Sequence, residues 1–173
     1  MKSIQLLSQL ELTCIKPDDH QKRFQIMDGA DVVGELSYAK SAGTLARAES
    51  GDAIWTFKRC GLWKPYISIR KEGTHTNLAR IVLGWHNVLM SEPPLRRVHF
   101  RNSSFWHNEW SWVTDEDETI MKFKPTHDHH MRGKIVIHEK FRQDGWLMMM
   151  ALLGWYMLVS LEDEAGDTMV VMS

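Results

Sequence analysis

His127, Asp128, His129 and His130 form the densest group of possible metal ligands in the sequence. Imidazole and carboxylate groups bind zinc, but a zinc site needs ligands that converge from characteristic spacings. No distant set of cysteines or carboxylates completes a site with this group at a recognisable spacing. We therefore interpret the four residues as a polar loop, and we predict neither a metal ion nor another cofactor.

Four consecutive carboxylates, Asp115 to Glu118, raise the question of a calcium site. A calcium-binding EF-hand loop alternates its acidic ligands, turns at a glycine and ends on a glutamate. The run at residues 115–118 has none of this spacing. A solvent-exposed hairpin turn is the interpretation that agrees with the alternating segments on both sides.

Five basic residues are candidates for binding an anion such as a lipid headgroup. Lys122 and Lys124 alternate with Met121 and Phe123, so both lysines should point outward from one strand. Charge-assisted hydrogen bonds from such side chains suit phosphate groups. Outward lysines also keep a sheet soluble, which is the competing explanation. The predicted anion- or lipid-binding residues are Arg96, Arg97, Arg101, Lys122 and Lys124.

The sequence contains no recognisable catalytic motif. A GxSxG nucleophile, a glycine-rich phosphate loop, an HExxH metal motif and a cysteine with an evident histidine partner are all missing. Ser103, Ser104 and His107 are close along the chain, but closeness in sequence does not create a catalytic triad. We therefore predict that the protein is not an enzyme.

Composition indicates one globular domain. The 173 residues are 25% charged and 43% hydrophobic, which is ordinary for a soluble protein. A formal net charge of −1 provides no general attraction for nucleic acid, so no nucleic-acid partner is expected. Cys14 and Cys60 lack CxxC spacing, and the N-terminus has no secretory pattern, so we expect reduced thiols in a cytoplasmic protein.

Short alternating segments and turn signals dominate the first part of the chain. Asp28-Gly29 between two β-prone runs is a strong hairpin signal. Trp106, Trp110 and Trp112 are separated by even numbers of residues, which predicts that all three lie on one covered face of a strand. We assign the tryptophans in general to the core and the wall. Turn signals about every ten residues favour an antiparallel barrel or sandwich.

The run from Trp146 to Leu161 is apolar on every face and uncharged. As an α-helix it would be about 24 Å long, shorter than the roughly 30 Å hydrocarbon layer of a bilayer. A helix without a polar face must be surrounded by lipid or by a protein core. Ala151 and Gly154 would let a wall approach its axis. We therefore favour a closed antiparallel β-barrel that encloses this helix, with Thr168–Met172 as a possible final strand.

These features, in this order, resemble the tubby C-terminal-like superfamily. The superfamily includes tubby-like proteins, plant LURP-one-related proteins and phospholipid scramblases. The resemblance covers about Val32 to Leu161 and rests on the short alternating strands, the Trp-rich segment Trp106–Trp112, the acidic turn after it and the terminal run Leu152–Leu158. It implies a mainly β fold, a barrel of roughly twelve strands threaded by a hydrophobic C-terminal helix.

The resemblance also implies a binding or scaffold role. Tubby-like proteins bind phosphoinositides through basic residues on the barrel surface, and scramblases act on membranes. We expect a single tubby-like domain at residues 1–173, variable over residues 1–23, with phospholipid headgroups or a protein as partner and peripheral contact with membranes. The alternatives are a tail-anchored membrane protein inserted through Trp146–Leu161 and a small-molecule carrier that uses space beside the helix.

Overall fold

The computed structural model describes residues 7–51, 53–84, 87–91, 96–104, 106–126 and 131–171, with the backbone alone at residues 131 and 165–171. The histidine-rich group at residues 127–130 lies outside these ranges.

Twelve β-strands, counted over the described residues, form a closed barrel in which neighbours in space follow the order of the chain. Every pair is antiparallel, and the pairing of the first strand with the last closes the sheet. The predicted closed antiparallel barrel is thereby confirmed. The strands are β1 (Glu11–Ile15), β2 (Arg23–Asp28), β3 (Asp31–Tyr38), β4 (Ala46–Ser50), β5 (Ala53–Cys60), β6 (Tyr66–Lys71), β7 (Ala79–Val82), β8 (Asn87–Ser91), β9 (Arg97–Ser104), β10 (Glu109–Thr114), β11 (Thr119–Pro125) and β12 (Met131–Ile137).

The alternation that predicted these strands places apolar side chains inside the barrel. In β11, Met121 and Phe123 are fully buried, whereas Lys124 is exposed. The Asp28-Gly29 step forms the predicted hairpin turn between β2 and β3. Gly29 has a φ of +62°, a conformation that glycine adopts without the steric cost of a side chain. Local sequence thus determines the face and the turn of these strands.

One long α-helix, α1 (Leu147–Val171), follows β12 and a short 3₁₀ turn and passes through the barrel. Every residue from Leu147 to Val159 is buried, so this part of α1 is covered on all its faces. The indole of Trp112 in β10 donates a hydrogen bond of 2.9 Å to the backbone carbonyl of Met150. The apolar run is therefore the centre of the protein core, as its uniform hydrophobicity predicts.

The helix is longer than predicted. It continues beyond Leu161 to Val171, so the final strand expected at Thr168–Met172 is wrong. A closed barrel has no unpaired edge on which another strand could add, because β1 already pairs with β12. From Leu161 to Glu164 the helix surface is exposed, which shows that α1 leaves the barrel there.

The expectation that the tryptophans lie in the core or the wall is wrong for two of them. Trp63 and Trp106 are 92% and 91% exposed. Trp106 belongs to a turn, because β10 begins only at Glu109, and two-residue alternation does not apply in a turn. Trp110 and Trp112 lie within the strand and are partly and fully buried, respectively.

The helix approaches the wall closely at Gly154. A Cβ atom added there would lie 2.8 Å from Cε1 and Cε2 of Phe123 and closer still to Cζ. Because Phe123 is itself fully buried in β11, its ring has little space to move away. The absence of a side chain at residue 154 therefore sets the distance between α1 and this part of the wall.

Gly154→Ala should lower the free energy of unfolding by about 1–3 kcal/mol, because the added methyl overpacks a rigid aromatic contact. Urea denaturation would measure the loss. Gly34→Ala is the matched control, since its added Cβ would meet the flexible methyl end of Met148. Phe123→Leu in the Gly154→Ala background should recover part of the loss. Equal destabilisation by the two alanine substitutions would contradict the proposed contact.

Candidate functional site

The two ends of the barrel differ because α1 begins at one and leaves through the other. Since successive strands are antiparallel, the turns after β1, β3, β5, β7, β9 and β11 lie at the end where the helix leaves. The hydroxyl of Tyr156 identifies this end directly, because it donates a hydrogen bond of 2.7 Å to the carbonyl of Thr44 in the turn after β3. We call it the exit end.

Three consecutive carboxylates of α1 fasten the helix to the exit end. Each one forms an ion pair with a basic residue from a different part of the wall: Glu162 with Arg132, Asp163 with Lys22, and Glu164 with Arg59. These carboxylates, which we call the acidic clamp, bridge the point at which α1 leaves the barrel. The helix position thus depends on charge as well as on apolar packing.

A stacked pair of tyrosines lies beside the clamp. The rings of Tyr38 and Tyr156 are 5.7 Å apart and nearly parallel, and the ammonium of Lys22 lies 4.4 Å from the centre of the Tyr38 ring. Burial is the main cause that raises the pKa of both phenols, and the pKa of Tyr156 rises to about 12. Both tyrosines are therefore neutral near physiological pH.

Two cavities flank α1 at the exit end. The first has a volume of about 540 Å³ and a polar lining that includes Tyr38, Ser160 and the acidic clamp. The second, which we call the apolar cavity, has a volume of about 510 Å³ and lies between α1 and the wall formed by β6 to β10. Its apolar lining consists of Ile67, Leu83, Phe100, Trp110, Met157 and Leu161.

The exit end also has an unusual surface. Single exposed hydrophobic residues are normal, but here the large exposed ones in the described part of the chain all lie in its turns or next to them. The turn between β5 and β6 places Leu62 and Trp63 almost completely in solvent. The full set, with exposed fractions, is Leu45 (43%), Leu62 (90%), Trp63 (92%), Val82 (41%), Trp106 (91%) and Leu161 (37%).

Five adjacent strands of the barrel contain no acidic residue, although Glu72 directly follows β6, and Glu164 and Asp117 pair with Arg59 of β5 and Arg101 of β9. All 22 acidic residues of the chain lie outside β5 to β9, which we call the acid-free face. These adjacent strands carry basic residues instead: Lys58, Arg59, Arg70, Lys71, Arg80, Arg97 and Arg101. A protein with a net charge near zero thus has a local field that its composition conceals.

Strand register aligns three of these basic residues. Lys58 lies opposite Ser68, which lies opposite Arg80, and the same row continues through Met90 to Arg97. Lys58, Arg80 and Arg97 are exposed and form no ion pair within the described part of the chain. Lys58 and Arg80 are two strands apart, or about 10 Å, and so are Arg80 and Arg97. We call these three residues the basic row.

The five basic residues predicted from sequence do not form one free patch. Lys122 and Lys124 do point outward, but Lys124 lies 3.6 Å from Glu109 and Arg101 lies 2.8 Å from Asp117. Register places Arg101 and Lys122 in one row, on either side of Ser111. Arg97 belongs to the basic row instead. Anion binding by the predicted five therefore stays a prediction, and their spatial grouping differs from the one expected.

Arg96 has a separate role at the start of the helix. It donates a hydrogen bond of 2.8 Å to Asp144, which accepts another of 2.9 Å from the backbone nitrogen of Trp146. The guanidinium also lies 5.7 Å from the Trp146 ring. Burial raises the pKa of Asp144, but the hydrogen bonds from Arg96 and the Trp146 backbone outweigh it, so the net shift is downward. Arg96 is thus committed to fixing the helix start.

Lys58 and Arg80 were missed by sequence reasoning. Nothing in their spacing along the chain connects them with Arg97, because they lie on three different strands. Part of the signal is in the sequence, because the segments that form β5 to β9 contain no Asp or Glu. Only the pairing register of β5 to β9 shows that Lys58, Arg80 and Arg97 lie in one row.

Comparisons of the chain with protein-family models, curated proteins and solved structures give no match. Among the described residues, no helix is both long enough and apolar enough to cross a bilayer. In the same residues, no three His, Cys, Asp or Glu side chains are grouped so that they could hold a metal ion. The acid-free face and the exit end are the candidate functional regions of the molecule.

Neutralising the acidic clamp should destabilise the protein in a salt-dependent way. Glu162→Gln, Asp163→Asn and Glu164→Gln together should cost about 1–3 kcal/mol at low salt, since partly exposed ion pairs contribute up to about 1 kcal/mol each. The difference should shrink at high salt because of screening. Urea unfolding at both salt levels tests this, with an equally charged control made of Asp18→Asn, Asp19→Asn and Glu116→Gln. A loss of the same size in the control would contradict the clamp.

The tyrosine pair should make the free energy of unfolding decrease at alkaline pH. The pKa of Tyr156 in the folded state, about 12, lies above the value of about 10 for a free phenol, so the unfolded state loses its proton first as pH rises. Stability from this burial is complete below about pH 10 and is lost as pH rises towards 12. At about pH 11 the loss should be about 1 kcal/mol for Tyr156. Unfolding measurements on Tyr156→Phe should show a shallower alkaline decline; an unchanged decline would contradict the assignment.

Proposed function

We propose that this protein is a non-enzymatic binding protein of the tubby-like class that docks, from the cytoplasm, on anionic phospholipid membranes through its acid-free face. The support for the class is the closed twelve-stranded barrel around a C-terminal helix. The observation that carries the binding role is the basic row. Three exposed cations, which have no carboxylate partner among the residues that the structure describes, lie on five adjacent strands that contain no acidic residue.

Electrostatics favours a multivalent anionic partner. A basic residue near an anionic membrane surface contributes about 1 kcal/mol, and the attraction decays over a Debye length of about 10 Å at moderate salt. Neighbouring residues of the row are about 10 Å apart, so an anionic surface that meets Arg80 lies within about a Debye length of Lys58 and Arg97 on either side. A small monovalent anion would meet only one of them. An extended anionic surface therefore fits the row better than an isolated ion.

The exit end has a second feature on the same side that suits membrane binding. The turn between β5 and β6 follows Lys58 closely and exposes Leu62 and Trp63, with Lys64 next to them. Tryptophan is enriched at the boundary between lipid and water, where its ring is partly apolar and partly polar. Basic residues together with exposed aromatic and aliphatic ones are typical of proteins that lie on a membrane. We therefore place this turn at the lipid boundary in the docked state.

The alternatives have less support. Insertion of Trp146–Leu161 into lipid would require α1 to leave the barrel, although Phe123 and Trp112 contact it directly. A protein partner with an acidic surface remains the competing occupant of the acid-free face. Nucleic acid is not expected as a partner, and that expectation stays a prediction.

Sedimentation with vesicles tests the proposal. The full chain should bind vesicles that contain phosphatidylserine or phosphoinositides at low salt, should bind phosphatidylcholine vesicles weakly, and should dissociate at high salt. Changing Lys58, Arg80 and Arg97 to Gln should weaken binding by about 100-fold, since each contributes about 1 kcal/mol. Trp63→Ala should weaken binding further without changing its salt dependence.

A matched variant makes the test specific. Changing Lys40, Lys134 and Lys140 to Gln removes the same charge from other parts of the surface and should leave vesicle binding nearly unchanged. Equal loss in the two triple variants would indicate attraction by charge alone and would contradict a specific face. Failure of the unmodified protein to bind any anionic vesicle would favour the protein partner instead.

A further inference from the structure

The apolar cavity has the size and lining of a small-molecule site. Its volume of about 510 Å³ lies within the range of about 300–1,000 Å³ that is usual for ligand pockets. Met157 and Leu161 of α1 form one side, and Phe100 and Trp110 form the other with their rings stacked at 5.3 Å. All the residues of α1 from Leu147 to Val159 are buried, so the cavity lies where the helix begins to leave the core.

The polar groups of the cavity are located at its mouth. Arg59 and Arg101 are the basic groups of the lining, and each is paired with a carboxylate: Arg59 with Glu164, which also lines the cavity, and Arg101 with Asp117, which does not. The ion pair between Arg59 and Glu164 is one of the three ion pairs of the acidic clamp. The uncharged polar lining consists of Asn87, Asn102 and Ser160. The lining therefore suits a ligand with an apolar body and an anionic end group that can take the place of the Glu164 carboxylate beside Arg59.

We infer that the apolar cavity binds an amphiphile with one apolar chain and an anionic head group, such as a fatty acid or a lysophospholipid. The chain lies against Phe100, Trp110 and Met157, and the head group meets Arg59 at the mouth. The size of the cavity suits one chain, because it matches a single drug-sized molecule and not a two-chain phospholipid. A head group at Arg59 competes with Glu164 for the same guanidinium, so binding loosens one link of the acidic clamp.

This site is independent of the acid-free face. Vesicle docking uses the outer surface of β5 to β9, whereas the amphiphile occupies the space inside the barrel mouth. Gln substitutions in the basic row should therefore leave amphiphile binding intact. If the unmodified protein binds the amphiphile but no anionic vesicle, the proposed function is overturned. If it binds anionic vesicles but no amphiphile, the present inference is overturned.

Fluorescence titration with cis-parinaric acid, a single-chain carboxylic acid, tests the site on the full chain. Saturable binding of one molecule per chain is expected, with energy transfer from tryptophan and displacement by oleate. Displacement by oleoyl lysophosphatidate compared with oleate distinguishes a phosphate from a carboxylate head group. Oleyl alcohol, which lacks the charge, should compete about tenfold more weakly, a difference of about 1.4 kcal/mol. Native mass spectrometry should show the same single adduct.

Two variants separate a specific site from general hydrophobic adsorption. Leu161→Trp should obstruct the mouth and weaken parinarate binding about tenfold or more, whereas Leu45→Trp, at a residue of similar exposure outside the cavity, should not. Arg59→Gln should weaken parinarate and oleate but not oleyl alcohol. Equal binding by the two tryptophan variants, or an equal effect of Arg59→Gln on all three ligands, would overturn the inference. Circular dichroism confirms that each variant is folded.

Discussion

Enclosure of an uncharged helix by a closed sheet is the constraint on which this structure depends. A helix that is apolar on every face has to be covered on every face, and a closed barrel does so without leaving an unpaired strand edge. The contact between Gly154 and Phe123 sets how closely the two fit. The hydrogen bond from Trp112 to the Met150 carbonyl fixes where along the helix the wall meets it. The barrel and the helix are therefore parts of one core.

Because the core occupies the inside of the barrel, binding has to use the outer surface or the two ends. The ends are built differently. At the start of α1, Arg96 and Asp144 hold the chain in a compact, ion-paired arrangement. At the exit end, the acidic clamp leaves cavities on both sides of the helix, and the turns expose aromatic side chains. The acid-free face runs from one end to the other and joins these features on one side of the molecule.

Much of the fold could be predicted from local sequence. Alternation assigned Met121 and Phe123 to the inside and Lys122 and Lys124 to the outside, and all four agree with the structure. Alternation failed at Trp106, because a strand pattern was continued into a turn. It also failed to identify β8 (Asn87–Ser91), whose short alternating pattern lies beside glycine and proline signals. A final strand was expected at Thr168–Met172, but residues 168–171 are helical, because the closed barrel provides no edge for another strand.

The candidate site depended on the tertiary structure to a greater degree. The sequence by itself determined which side chains of the alternating strands face inward and where the apolar helix lies, since both are properties of neighbouring residues along the chain. Only the tertiary structure decided that Lys58, Arg80 and Arg97 form a row and that Arg96 is used at the helix start. Partners across strands and across the barrel are set by register and closure, which bring together residues far apart in sequence.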